Sequence, residues 1–310
     1  MFELKGKRIF VAGHKGMVGS STARQLREAG ADVLTADRTE LDLINQASVD
    51  RWMADNRPEM VVIAAAKVGG ILANDMHPVR FLYDNIMIQT NLLKAAHDTG
   101  VDRLLLLGSS CIYPKFAPQP ITEDALLTGA LEPTNQWYAM AKISGIMLAQ
   151  AYRREFGRHY ISAMPTNLYG PDDNFDLQSS HVLPALIRKA HEAKMSGAKS
   201  IEVWGTGKVR REFLHVDDCA AALVHLLANY DEDQHINVGS GSDVTILELV
   251  HIVCEVVGFT GEITFDTSKP DGTPRKLMAA DKLGALGWTP TIGLRDGIAS
   301  TYAWFCENVA

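Results

Sequence analysis

The chain has 310 residues, of which 46% are hydrophobic and 22% charged, with a formal net charge of −7. That length supports a large core and two lobes, and no apolar run reaches the roughly 20 residues a membrane span needs. The acidic balance argues against nonspecific nucleic-acid binding, so an anionic ligand has to be met by local positive groups and helix ends. Cys111, Cys219, Cys254 and Cys306 have no Cys-x-x-Cys spacing, which disfavours a zinc site and a disulfide framework and predicts free thiols and no metal. With no charged-then-apolar leader before the first apolar run, a cytoplasmic location is expected.

In chain order, Arg8–Ala12 reads as a buried strand that runs into Gly13-His14-Lys15-Gly16-Met17-Val18-Gly19 and then a helix to about Glu28. In a strand-turn-helix the three glycines take separate roles: Gly13 makes the tight turn, Gly16 admits a pyrophosphate and Gly19 permits close helix packing, with phosphate held at the helix N-terminus. Further strand-like runs at 32–35, 60–65, 103–108 and 159–164 are separated by helix-length segments, the longest around 79–99 and 137–156. This predicts an α/β chain with a Rossmann-type doubly wound parallel sheet. After Pro165 the spacing loosens and Gly, Pro and Asp accumulate, which predicts a smaller mixed α/β substrate lobe. The expected division is a dinucleotide-binding domain of 1–166 plus roughly 213–240, and a substrate lobe of roughly 167–212 and 241–310.

Ligands of an open parallel sheet bind at the carboxyl ends of its strands, where Asp37-Arg38, Ala64-Ala65-Ala66, Ser109, Cys111 and Pro165-Thr166-Asn167 fall. Tyr138 and Lys142 are four apart on a predicted helix, so the ammonium can stabilise tyrosinate and pull the phenol below its ordinary pKa of about 10. An isolated Tyr-x-x-x-Lys is more often a plain surface contact, but Ser109 adds a second hydroxyl able to grip one carbonyl oxygen. Cys111 on its own reads as a small buried hydrophobe.

Taken together, these residues resemble the extended short-chain dehydrogenase/reductase family, in the branch that converts GDP-4-keto-6-deoxy-D-mannose to GDP-L-fucose. The resemblance runs over nearly the whole chain. It rests on the glycine loop, on Ala64-Ala65-Ala66-Lys67-Val68-Gly69-Gly70, Gly108-Ser109-Ser110-Cys111-Ile112-Tyr113-Pro114 and Pro165-Thr166-Asn167-Leu168-Tyr169-Gly170-Pro171, and on Arg211-Glu212-Phe213-Leu214-His215 and Lys269-Pro270-Asp271-Gly272-Thr273-Pro274-Arg275. It implies a reductase triad of Ser109, Tyr138 and Lys142, an epimerisation acid/base pair of Cys111 and His181, and a homodimer through the two long helices. The cofactor contacts it implies are Gly13, His14, Lys15, Gly16, Met17, Val18, Gly19, Arg38, Asp42, Leu43, Leu107, Gly108, Ser109, Ser110, Lys142, Pro165, Thr166, Asn167, Leu168 and His181. Lys189, Trp204, Arg211 and Asp271 match substrate-contacting positions.

The implied chemistry is coherent. Carbons 3 and 5 flank the 4-keto group, so each can lose a proton to give an enolate whose oxygen Ser109 and Tyr138 would hold. Inversion needs one group to remove a proton and another to return it, and a thiol and an imidazole are suitably matched near neutral pH. Which of Cys111 and His181 acts as base stays open in the sequence. Arg38 and Lys15 match phosphate-contacting positions and favour NADP(H), whereas Asp37 departs from the usual pattern and weakens that preference, leaving NAD(H) as a secondary cofactor. Arg210 and Lys276 read as additional surface charge. A 4,6-dehydratase would carry an acidic pair where this chain has Ser110-Cys111, a 4-epimerase holding NAD has no need of a Cys/His pair, and a non-catalytic dinucleotide sensor could lose Tyr138 or Lys142, both of which are present.

Overall fold

A computed structural model describes residues 1–177, 179–269 and 271–310, apart from the side chains of Ile71 and Leu72. Pro270, part of the loop motif noted above, lies outside the described residues. The first half alternates strand and helix: β1 Arg8–Ala12, α1 Met17–Glu28, β2 Asp32–Leu34, α2 Gln46–Asn56, β3 Met60–Ile63, α3 Ile71–Met76, α4 Pro78–Asp98, β4 Arg103–Leu107, α5 Gln136–Phe156 and β5 His159–Pro165. There follow β6 Asn167–Tyr169, α6 Val182–Ser196, β7 Ser200–Trp204, β8 Arg210–His215, α7 Val216–Asn229, β9 Ile236–Val238, β10 Asp243–Thr245, α8 Ile246–Val257, β11 Glu262–Asp266, β12 Arg275–Lys276, α9 Asp281–Ala285 and α10 Leu294–Asn308.

Six strands form a parallel sheet in the order β2-β1-β3-β4-β5-β9. The continuous apolar runs of β1, β3 and β4 are explained by burial on both faces. Ile9, Val11, Val62 and Leu105 point into one core, while Phe10, Val61, Ile63 and Leu104 point into the other, the alternation a pleated strand imposes. The order reverses between β1 and β3, which opens a crevice at their carboxyl ends. Gly13 and Ala64 follow directly on the two strands that border it, and Gly108 follows on β4, the next strand along.

After β5 the chain leaves this sheet. β6 pairs with β8, and β8 also pairs with β10 and β12, while β7 and β11 form a separate parallel pair. A second core of Leu186, Ile187, Leu249, Val250, Val253, Ile298 and Phe305 packs α6, α8 and α10 together. Helix α8 starts at a capping box, in which Thr245 Oγ1 accepts from Glu248 N at 3.0 Å and the Glu248 carboxylate accepts from Thr245 N at 2.7 Å.

The chain then returns. Helix α7 packs on α1, where Ser21 Oγ donates to Asp217 at 2.6 Å and Gln25 Nε2 donates to the Asp217 carbonyl at 2.8 Å, and β9 completes the sheet beside β5. Arg103, 1% exposed on β4, donates to the carbonyls of Leu226 and Leu227, each at 3.0 Å, and to that of Tyr230, so the end of α7 is capped from across the sheet.

Candidate active site

The glycine turn is built by close contact. Gly13 has φ +91°, and a Cβ there would stand 2.6 Å from Ala65 N. A Cβ on Gly19 would lie 2.0 Å from the Gly13 carbonyl oxygen, so only glycine lets α1 begin so near the turn. The N-cap of α1 is Gly16, which offers no side chain to the first N–H groups at Met17, Val18 and Gly19. They are left for a ligand such as phosphate. A dinucleotide fits this cradle.

Nearby, Lys15 Nζ lies 2.8 Å from the Asp37 carboxylate and His14 Nε2 lies 3.3 Å from it, and the hydrogen bond from Lys15 holds Asp37 below the usual carboxylate range. The acid that would oppose a 2′-phosphate is therefore already partnered by a cation. Arg38 is exposed and makes no ion pair among the described residues. Asp42 accepts from Ile44 N at 3.1 Å, and the Leu43 carbonyl accepts from Asn91 at 3.0 Å, which fixes the loop after β2.

At the end of β4, Gly108 lies against Met164, Ser110 is buried, and the Ser109 hydroxyl accepts from Cys111 N at 3.4 Å and from Cys111 Sγ at 3.1 Å. Helix α5 presents Tyr138 and Lys142 on adjacent turns. Lys142, 3% exposed, donates to the Leu107 carbonyl at 2.8 Å, and burial brings its pKa down to about 8. Its Nζ lies 5.8 Å from the Tyr138 ring centre. The expected pull of Lys142 on the phenol is not realised: burial pushes Tyr138 well above its ordinary pKa, and the neighbouring Cys111 adds to the rise. Desolvation outweighs the ammonium, so Tyr138 holds its proton firmly until a partner reaches it.

Burial pushes the Cys111 thiol up, and the nearby Lys276 ammonium opposes that. His181 is the N-cap of α6 and reaches solvent, and partial desolvation by its surroundings together with Lys276 lowers its pKa. Cys111 and His181 thus share one cationic neighbour. This corrects the reading of Lys276 as surface charge, because pairing of β12 with β8 sets it beside Arg211 and a recess lined by Cys111, Asn135 and Thr273. Asn135 escaped notice in the sequence as well. Its Oδ1 is buried without a partner among the described residues, and a loop asparagine before a helix carries no local signal beyond capping. Thr166 Oγ1 and Asn167 Nδ2 both donate to the Glu212 carbonyl, at 3.4 and 2.8 Å, and so join Pro165-Thr166-Asn167-Leu168 to β8.

The expected substrate contacts form a second group. Lys189 Nζ donates to the Glu202 carbonyl at 3.0 Å and lies 5.6 Å from the Trp204 ring centre, with Lys269 Nζ 5.4 Å from the same ring. Trp204 is 54% exposed and offers a face for stacking. Arg211 donates to the Asp271 carbonyl at 3.3 Å, while the Asp271 carboxylate accepts from Thr206 N and Oγ1 at 2.7 and 2.9 Å. Asp271 thereby closes the turn that carries Trp204 toward Arg211. A larger cavity between β8, β10 and residues 290–294 shares only Arg211 with this group.

Comparison with known proteins agrees with this geometry. The family described as NAD dependent epimerase/dehydratase matches residues 9–239. A GDP-L-fucose synthase of Sinorhizobium fredii is 57% identical over 310 residues, covering 100% of this chain and 99% of that protein. Among solved structures, a GDP-6-OMe-4-keto-L-xylo-heptose reductase from C. jejuni superposes with a TM-score of 0.93 at 35% identity, covering 99% of each chain. A GDP-L-fucose synthetase from Naegleria fowleri bound to NADP gives 0.89 at 29% identity, covering 98% of this chain and 95% of that one. With its glycine cradle, its Tyr138/Lys142 pair and full-length identity of this order, the chain belongs to the NAD dependent epimerase/dehydratase family, in the branch of the GDP-L-fucose synthases.

Proposed function

We propose that this chain converts GDP-4-keto-6-deoxy-D-mannose to GDP-L-fucose by epimerisation at carbons 3 and 5 followed by NADPH-dependent reduction at carbon 4. The observation that carries the reading is the thiol in the reductase site: Cys111 Sγ is 3.1 Å from Ser109 Oγ, acts electrostatically on Tyr138 and Lys142, and shares Lys276 with His181. A reductase alone has no use for that thiol.

In this reading Cys111 and His181 exchange protons at carbons 3 and 5, one removing and the other returning. Lys276 favours a neutral imidazole and opposes the burial penalty on a thiolate, which keeps both members able to take or give a proton. Ser109 and Tyr138 hydrogen-bond the carbon-4 oxygen while negative charge collects there. Bound NADPH supplies hydride to carbon 4. Tyr138 then gives its proton to that oxygen, and Lys142, fixed on the Leu107 carbonyl, offers positive charge beside the phenolate that results. The glycine loop, Asp42, Leu43 and the 165–168 segment would hold the cofactor, with Lys15 and Arg38 at its phosphate. Lys189, Trp204, Arg211 and Asp271 would hold the nucleotide diphosphate.

The reading extends to a two-lobe division at residues 166, 213 and 240, and to a homodimer through α4 and α5, whose exposed Val79, Tyr83, Met140 and Met147 give each helix an apolar outer face. Among the described residues no helix is long and apolar enough to cross a membrane. A cytoplasmic setting is supported by four unpaired cysteines.

The test is incubation with GDP-4-keto-6-deoxy-D-mannose and NADPH in deuterium oxide. GDP-L-fucose carrying deuterium at carbons 3 and 5 is expected. A reduced sugar with both centres unchanged and unlabelled would favour a plain nucleotide-sugar reductase.

A further inference from the structure

The segment after β3 has no role in the reaction described so far, yet it links the cofactor turn, the Phe81 ring beside Tyr138 and the turn before His181. Ala64 N donates to the Ala12 carbonyl at 3.0 Å, and Ala65 closes against Gly13 of the cofactor turn. Three residues on, Asn85 of α4 clamps the backbone from both sides, accepting from Lys67 N at 2.8 Å and donating to the Lys67 carbonyl at 3.0 Å. Gly69 packs on Phe81, where a Cβ would stand 3.1 Å from the ring, and Phe81 meets Tyr138 edge to face at 6.4 Å. Gly70 N then donates to the Ser179 carbonyl at 3.0 Å, two residues before His181. Asn74, 5% exposed, locks the end of the segment by donating to the carbonyls of Gly69 and Gly70 at 2.8 and 3.1 Å.

Gly70 has φ −63° and ψ 177°, a conformation open to any residue, so its backbone angles do not require glycine. Space does. A Cβ there would lie 2.9 Å from the Ser180 carbonyl oxygen and 3.4 Å from that of Ser179, both backbone atoms. The turn cannot retreat freely, because Ser179 N and Ser180 N donate to the Asp176 carbonyl at 3.2 and 2.8 Å and Ala185 N to the His181 carbonyl at 3.2 Å. Any shift of this turn is passed on to the N-cap of α6.

We propose that Gly70 is a positioning residue for proton transfer: its missing side chain lets the 64–74 segment seat the 179–181 turn, and so sets His181 over the same substrate that Tyr138 and Cys111 address. The proposal rests on the epimerase-reductase reading above. An alanine Cβ has to gain about 0.5 Å against a backbone oxygen to reach ordinary contact, and misplacement of a reacting group by about 1 Å can cost on the order of 10²-fold.

The experiment follows deuterium incorporation at carbons 3 and 5, the ratio of 3,5-epimerised to unepimerised reduced sugar, and NADPH affinity. In Gly70→Ala, incorporation is expected to fall about 10²-fold while NADPH affinity stays within about twofold, so the product shifts toward the sugar reduced without inversion. Asn74→Ala, which removes two hydrogen bonds from the segment without adding bulk, is expected to move the ratio the same way, and it carries the test should Gly70→Ala not fold. Gly284→Ala, with no atom within 4 Å of the new Cβ, is the control and keeps the wild-type ratio. A wild-type ratio in both Gly70→Ala and Asn74→Ala overturns the proposal, as does equal loss of exchange and NADPH binding. Wild-type enzyme that incorporates no deuterium overturns the epimerase reading itself.

Discussion

Gly19→Ala isolates the contact on which the cofactor cradle depends. The new Cβ would fall 2.0 Å from the Gly13 carbonyl oxygen, 2.6 Å from its carbon and 3.1 Å from His14 Cα. Reaching an ordinary contact near 3.4 Å requires a separation of about 1.4 Å between α1 and the turn. Helix α1 is held from behind by α7 through Ser21 and Gln25 on Asp217, so the turn has to yield. Overpacking of this kind costs about 1–3 kcal/mol, and the rigid backbone partner puts Gly19→Ala at about 3 kcal/mol. The same opening removes the N-terminal N–H groups of α1 from their place, which predicts NADPH affinity weaker by about 10²-fold, or about 2.7 kcal/mol. Urea denaturation and NADPH titration measure the two effects. Stability within about 0.5 kcal/mol of wild type, together with a Kd within about twofold, would refute the claim that close approach, not flexibility, explains this glycine.

Tyr138→Phe should lower the rate of carbon-4 reduction by about 10²–10⁴-fold with NADPH affinity unchanged, and a normal single-turnover reduction rate would remove the phenol from its role. Lys142 gives a pH signature: its folded pKa of about 8 lies below the unfolded 10.5, so the buried charge is a penalty fully present below pH 8 and relieved as pH rises toward 10.5. At about 1.4 kcal/mol per decade, that penalty approaches about 3 kcal/mol. Lys142→Met should therefore be more stable than wild type in urea at pH 7, by that amount less about 1 kcal/mol for the lost bond to Leu107, with the gap narrowing by pH 10. A gap independent of pH contradicts it. Asp37→Asn, which frees Lys15, should raise the NADPH-to-NADH ratio of kcat/KM by a few-fold, an exposed pair being worth at most about 1 kcal/mol. An unchanged ratio, or wild-type preference for NADH by tenfold, counts against the cofactor assignment.

The parallel sheet was legible because a strand buried on both faces writes its environment into consecutive residues, as in Val61-Val62-Ile63 and Leu104-Leu105-Leu106-Leu107. The glycine turn was legible for the same reason, since its constraints are local. Strand ends ran one or two residues long at 35, 65 and 108 and one short at 164, because composition does not mark where pairing stops, as at Ala64-Ala65 beyond β3. What escaped depends on distant pairing. Lys276 looked like surface charge until β12 lay beside β8. Asn135 became notable only through the recess it shares with Cys111. The Tyr138 pKa was misjudged because spacing on a helix reveals a neighbouring charge but not the loss of water around it. Asp37 was read as an opponent of phosphate because its ion pair with Lys15 joins two loops.

The return of α7 and β9 to the first sheet also bears on how the protein is made. A nascent chain that has emerged only to Pro165 holds five parallel strands with the β5 edge bare and the Arg103 guanidinium lacking its carbonyl acceptors on Leu226, Leu227 and Tyr230. Such an edge is a template for pairing with other chains. The nucleotide-binding half therefore cannot finish folding as the ribosome releases it and must wait some seventy residues for its last strand, a delay during which a chaperone has most to protect.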